Sequence, residues 1–79
     1  MRFKILLNTL KNANEFVETC EHYKDDINYL HGRFVIDAKS IMGVLSCDIS
    51  EVALAEIVTD DPKIINSFEN DIRKWIVEE

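Results

Sequence analysis

Apolar residues in this chain recur with two different periods, and the alternation between them leaves few folds open. Leu10, Ala13, Phe16, Val17 and Cys20 return every three or four residues, the spacing that lines one face of a helix. Ile64, Ile65, Phe68, Ile72, Trp75 and Ile76 do the same towards the C-terminus. Around these stripes lie four short runs, Phe3 to Leu7, Ile27 to His31, Arg33 to Asp37 and Val52 to Val58, each of strand length. With Ser40 to Leu45 read as a short helix, the order is βαββαβα. The predicted fold class is α+β: an open-faced sandwich in which a four-stranded, mainly antiparallel sheet carries its helices packed on one face.

Local punctuation agrees with this order. Asn8, Thr9 and Asn12 are residues that cap helices, and Asn12 with Glu15 has the offset of a capping box, so a helix is expected over about residues 10–23. Asp25-Asp26 breaks its periodicity, and Gly32 between two β-type runs predicts a hairpin. Asp48-Ile49-Ser50-Glu51 reads as a connecting loop. Thr59-Asp60-Asp61-Pro62 is the clearest helix start: Asp61 can cap, and Pro62 suits the first helical position.

A chain of 79 residues is expected to form one domain, residues 1–79, with a thin core. Its 47% apolar and 30% charged residues suit a folded domain. The formal net charge of −6 argues against direct nucleic-acid binding and against docking on an anionic membrane. No apolar run reaches the roughly 20 residues of a membrane span. The apolar start ends at Asn8 with no small-residue cleavage site after it, so the cytoplasm is the expected compartment. Cys20 and Cys47 lack CxxC spacing and read as reduced thiols, at least one of them buried.

Enzyme chemistry is not legible. There is no glycine-rich phosphate loop, no HExxH, no GxSxG and no cysteine–histidine cluster, so neither catalysis, nor a cofactor, nor a metal is expected. His22 and His31 read as structural or solvent-exposed. Asp25-Asp26 reads as a loop pair and Asp60-Asp61 as part of a helix start. Phe68 and Trp75 share a stripe with isoleucines and read as core.

Ser40 differs from these. It follows a β-type run and precedes Ile41, Met42 and Leu45, so it reads as the N-cap of a short helix. A helix that short cannot bury all three apolar side chains, which leaves a candidate protein-docking patch. A phosphate on Ser40 would add about −1.5 to −2 charges without unfolding the domain, and would change which partners are tolerated.

Lys39-Ser40-Ile41-Met42-Gly43, followed by Val44-Leu45-Ser46, resembles the regulatory-serine segment of HPr, the phosphocarrier of the bacterial sugar phosphotransferase system. Val35-Ile36-Asp37-Ala38, Asp26-Ile27-Asn28 and the βαββαβα order extend the resemblance over nearly the whole chain. It implies that Ser40 is a target of an ATP-dependent HPr kinase, and that Ile41, Met42 and Leu45 lie on the face HPr uses for its partners. HPr opens its first helix with Gly-Ile/Leu-His-x-Arg-Pro-Ala. The corresponding stretch here is Leu7-Asn8-Thr9-Leu10-Lys11-Asn12-Ala13, which puts Thr9 at the phosphorylatable histidine, Lys11 at the arginine and Asn12 at the proline. Only Ala13 matches.

Threonine has no imidazole nitrogen to carry a phosphoramidate. The resemblance therefore implies a non-enzymatic, bacterial, cytoplasmic member that cannot carry phosphohistidine. Its expected role is regulatory, with an HPr kinase or a catabolite-control regulator as protein partner. A small ACT-like module that binds amino acids is the alternative, since layout alone does not exclude it. A glycine-rich turn after the first strand, which such a site would use, is absent from the sequence.

Overall fold

The structure, a computed structural model, describes residues 1–77; the acidic pair Glu78-Glu79 lies outside the described residues. Strand β1 (Arg2–Ile5) leads into helix α1 (Leu10–Glu21), then strands β2 (Ile27–His31) and β3 (Phe34–Asp37). Helix α2 (Ile41–Leu45), strand β4 (Ala53–Ile57) and helix α3 (Pro62–Ile72) follow, and a 3₁₀ turn over Arg73–Trp75 ends the helical part. The four strands form one sheet in the order β1-β4-β2-β3, and every pairing is antiparallel.

Period-two alternation sorts the strand side chains onto two faces. Phe3, Ala55, Tyr29 and Ile36 stand opposite one another in one cross-strand row on the face that the helices cover. Phe68 of α3 packs against Phe3 at a tilt, with ring centroids 6.1 Å apart, and Phe16 of α1 meets Tyr29 at 6.0 Å and Trp75 at 5.7 Å. Fully burying a side chain such as Phe16 contributes about 1.5–3 kcal/mol. The alanines that weaken the strand reading of β4 have a packing reason. Ala53 and Ala55 are buried in the core, and their small size lets the helices approach a central strand.

The structure departs from the sequence reading in the capping of α1, at Leu10 and in the last stripe, and β1 and α1 each end about two residues earlier than read. Helix α1 is capped by Thr9, whose Oγ1 accepts the Asn12 N–H at 3.1 Å, while the Asn12 side chain donates back to the Leu7 carbonyl at 2.8 Å. The Asn12–Glu15 capping box is thus replaced by a cap one turn earlier. Leu10, expected on the buried stripe, is 58% exposed, because the first residue of the helix precedes the part that crosses the sheet.

The last stripe does not continue as one helix either. Ile76 is extended and bridges Ile5, the Leu6 N–H donates to the Trp75 carbonyl at 2.9 Å, and the Val77 N–H donates to the Lys4 carbonyl at 2.9 Å. Unpaired strand edges attract partners, and here the chain's own C-terminal segment occupies the free edge of β1. The other punctuation stands where it was read. Asp61 caps α3 through the Lys63 N–H at 2.9 Å with Pro62 at the first position, and Gly32 takes φ 60° in the hairpin between β2 and β3.

Candidate functional site

Helix α2 is tied down at both ends. The Ser40 N–H donates to the Asp37 carbonyl at 3.0 Å as β3 ends, and Ser40 Oγ accepts the Gly43 N–H at 3.1 Å. Ser40 itself is extended, at φ −108° and ψ 107°, as an N-cap must be. Asp37 Oδ1 accepts the Lys39 N–H at 2.9 Å, and Lys39 Nζ donates to the Tyr23 carbonyl at 2.7 Å, just past the end of α1. At the other end, the Asn8 N–H donates to the Ile49 carbonyl at 2.8 Å. Helix α2 therefore runs from the C-terminal end of α1 towards its N-terminal end, with Ser40 at the first and the loop carrying Thr9 near the second.

The three apolar residues of α2 that the sequence pattern singled out, Ile41, Met42 and Leu45, divide. Met42 is 79% exposed and Leu45 38% exposed, whereas Ile41 is half-buried and packs on the core. The fully buried member of the helix is Val44, which the sequence pattern did not single out. Gly43 explains how α2 lies so close to the sheet: a Cβ built on it would stand 2.7 Å from Ile36 Cγ2 and 3.3 Å from Ser40 Oγ. Exposed Leu10, at the start of α1, adds a third large apolar side chain to the surface of this helix pair. Its stripe position hid it, and its place beside the cap Thr9 was the signal that could have shown it.

The loop before α1 is held by backbone bonds. Asn8 has φ 69°, in the left-handed region that asparagine tolerates, and the Thr9 N–H donates to the Leu7 carbonyl at 2.8 Å. Thr9 is exposed, and its hydroxyl is engaged as a helix cap. His22 is exposed at the C-cap of α1. His31 Nε2 lies 2.9 Å from Glu51 Oε1, an ion pair when the ring is protonated. Neither histidine sits at the start of a helix. Cys20 and Cys47 are free thiols, and burial pushes Cys20 up to about 12, so it is protonated and unreactive at neutral pH. Among the described residues no group of three or more His, Cys, Asp or Glu could hold a metal ion, and no helix is long and apolar enough to cross a membrane.

An antiparallel α+β open-faced sandwich that carries an exposed apolar turn behind a serine cap is the arrangement that the sequence resemblance implies. Comparison with known proteins agrees. The family model described as PTS HPr component phosphorylation site matches residues 9–70, and the chain belongs to the HPr family of the phosphotransferase system. The fold is similar to that of the crystal structure of HPr-C-His from Thermoanaerobacter tengcongensis, with a TM-score of 0.74 and 23% identity over 100% of this chain and 98% of that one. No curated protein matches the chain.

Proposed function

We propose that residues 1–79 act as one non-enzymatic, regulatory HPr-like domain that docks a protein partner through α2, with phosphorylation of Ser40 as its gate. The observation that carries this reading is the pairing of a half-buried serine cap with Met42, the most exposed large apolar side chain among the described residues, two residues on. Met42 and Leu45 supply the contact area, with Ile41 as their half-buried root and Leu10 as a further contact. A phosphate on Ser40 would place about two negative charges beside that patch. The cap geometry survives, because phosphate oxygens can still accept the Gly43 N–H.

Thr9 stands at the position of the family's phosphorylated histidine, and its engaged hydroxyl supports a capping role in place of phosphate relay. The partner class is an HPr kinase or a catabolite-control regulator, in the cytoplasm. The ACT-like alternative rested on layout alone, and the family match removes that ground.

Intact-mass spectrometry after incubation with HPr kinase and ATP tests the gate. Wild type is expected to gain one phosphate and Ser40→Ala none. A wild type that stays unmodified would exclude the switch. Incubation with phosphoenolpyruvate and Enzyme I is expected to leave no acid-labile phosphate on the chain; its appearance would overturn the assignment of Thr9.

A further inference from the structure

The two edges of the sheet differ. β1 carries the chain's own C-terminal segment, through the Ile5–Ile76 bridge and the Val77 N–H on the Lys4 carbonyl. β3 stands at the other end of the order β1-β4-β2-β3, with β2 as its strand neighbour. An edge strand is usually blunted by proline, lysines or a bulge. β3 is Phe34-Val35-Ile36-Asp37, in unbroken register with β2, and leaves Phe34 58% and Val35 69% exposed.

Hydrogen-bond parity fixes what this edge offers. The Ala38 N–H donates to the Ile27 carbonyl at 2.9 Å, in step with the pairs Tyr29–Ile36 and His31–Phe34. In an antiparallel ladder, bonded pairs alternate with non-bonded ones. Phe34, Ile36 and Ala38 therefore turn their backbone groups towards β2, while Val35 and Asp37 turn theirs outward. The Asp37 carbonyl takes the Ser40 N–H, but no turn, loop or cap bond among the described residues engages the N–H or carbonyl of Val35.

A second copy of this edge is its own complement. Antiparallel strands meeting about a two-fold axis at Val35 set Val35 against Val35, Phe34 against Ile36, and Arg33 against Asp37 in both directions. The outward Val35 groups then make two mutual bonds. Arg33 and Asp37 share the open face of the sheet with Val35, so their side chains meet across the axis. Both are exposed, and neither has an ion pair among the described residues. Asp37 Oδ1 accepts the Lys39 backbone N–H, which leaves the carboxylate its charge. Sliding one strand by two residues in either direction removes both Arg33–Asp37 pairs.

We propose that β3 pairs with β3 of a second copy of this chain, continuing the sheet across a two-fold axis. The proposal does not rest on the Ser40 gate. Its contact is a strand of 4 residues, and each copy carries a net charge of −6, so the expected association is weak.

Sedimentation equilibrium and amide chemical shifts of the ¹⁵N-labelled chain, over concentrations up to about 1 mM, test the pairing. The mass is expected to rise from 9.2 kDa towards twice that value, with concentration-dependent shifts centred on Arg33 to Asp37. Val35→Pro removes the outward N–H and spares the bonds to β2, and is expected to abolish the rise. Arg33→Asp sets carboxylates opposite each other, and Asp37→Arg sets guanidinium groups opposite each other. Each alone is expected to weaken dimerisation about tenfold. An equimolar mixture of the two restores both opposite-charge pairs and is expected to associate like wild type. A chain that stays at 9.2 kDa, shifts confined to α2 or β1, single variants that dimerise like wild type, or a mixture that does not associate would overturn the proposal. So would a monomeric chain whose Arg33 to Asp37 amides shift with an alternating Thr-Val hexapeptide, which would give the edge to a foreign strand.

Discussion

Tyr29 places its phenolic oxygen inside the core without a hydrogen-bond partner among the described residues, as Trp75 does its indole nitrogen. Burial pushes the Tyr29 hydroxyl up to about 12, so the group is neutral at physiological pH. An unmatched buried hydroxyl costs about 1–3 kcal/mol, and removing it relieves that cost. Tyr29→Phe keeps the ring against Phe16. Urea unfolding is therefore expected to show the variant as stable as wild type, or more stable by up to about 1 kcal/mol. A loss of that size would show that the hydroxyl holds a buried water. Thr9 is the contrasting case: its exposed hydroxyl accepts the Asn12 N–H as a helix cap.

At the scale of elements, the seating of α2 on β3 is decided by one missing methyl group. Gly43 lies where a Cβ would collide with Ile36 Cγ2, and overpacking of this kind costs about 1–3 kcal/mol. Gly43→Ala is expected to be destabilising by that amount in wild type and by clearly less in an Ile36→Ala background, which removes the colliding methyl. A double-mutant cycle from denaturant unfolding reads the coupling directly, and strict additivity would refute the close approach. The same substitution lifts α2 and so changes how Met42 and Leu45 are presented. The C-terminal segment shows that an element can also be set by its neighbour. The stripe up to Ile76 has helical spacing, yet the open edge of β1 draws Ile76 and Val77 into extended pairing.

At the scale of the molecule, side-chain bonds between distant elements make stability depend on pH. The Lys74 ammonium on the 3₁₀ turn holds Glu15 of α1 below its ordinary value, and Asn28 of β2, then Arg2 of β1, do the same for Glu56 of β4. A carboxyl depressed in the folded state stabilises it above the unfolded value and loses that contribution as pH falls through the folded value. Melting temperature is therefore expected to decline on acidification below about pH 4.5, the ordinary value for both groups. Neutralising an acidic surface of net −6 relieves repulsion and works in the opposite direction. The difference between wild type and Glu15→Gln/Glu56→Gln isolates the paired groups: the variant should show the shallower acid decline, and parallel curves would mean that the two bonds carry no stability.

Local physics is legible in a linear chain wherever one segment decides its own state. Asp61-Pro62, Gly32 in its hairpin and Ser40 ahead of Ile41 were all readable, because caps and turns use neighbouring residues. The α+β order followed from the two apolar periods, and the serine segment and its family from contiguous residues. Other features needed the assembled molecule. The order β1-β4-β2-β3, the exposure of Leu10 and the edge pairing of Ile76 each depend on what lies across a gap in sequence. By itself the sequence determined the elements, the acidic balance and the serine at the head of the short helix α2. Tertiary structure decided which apolar side chains stay outside, because burial belongs to the packed surface and not to the order of residues.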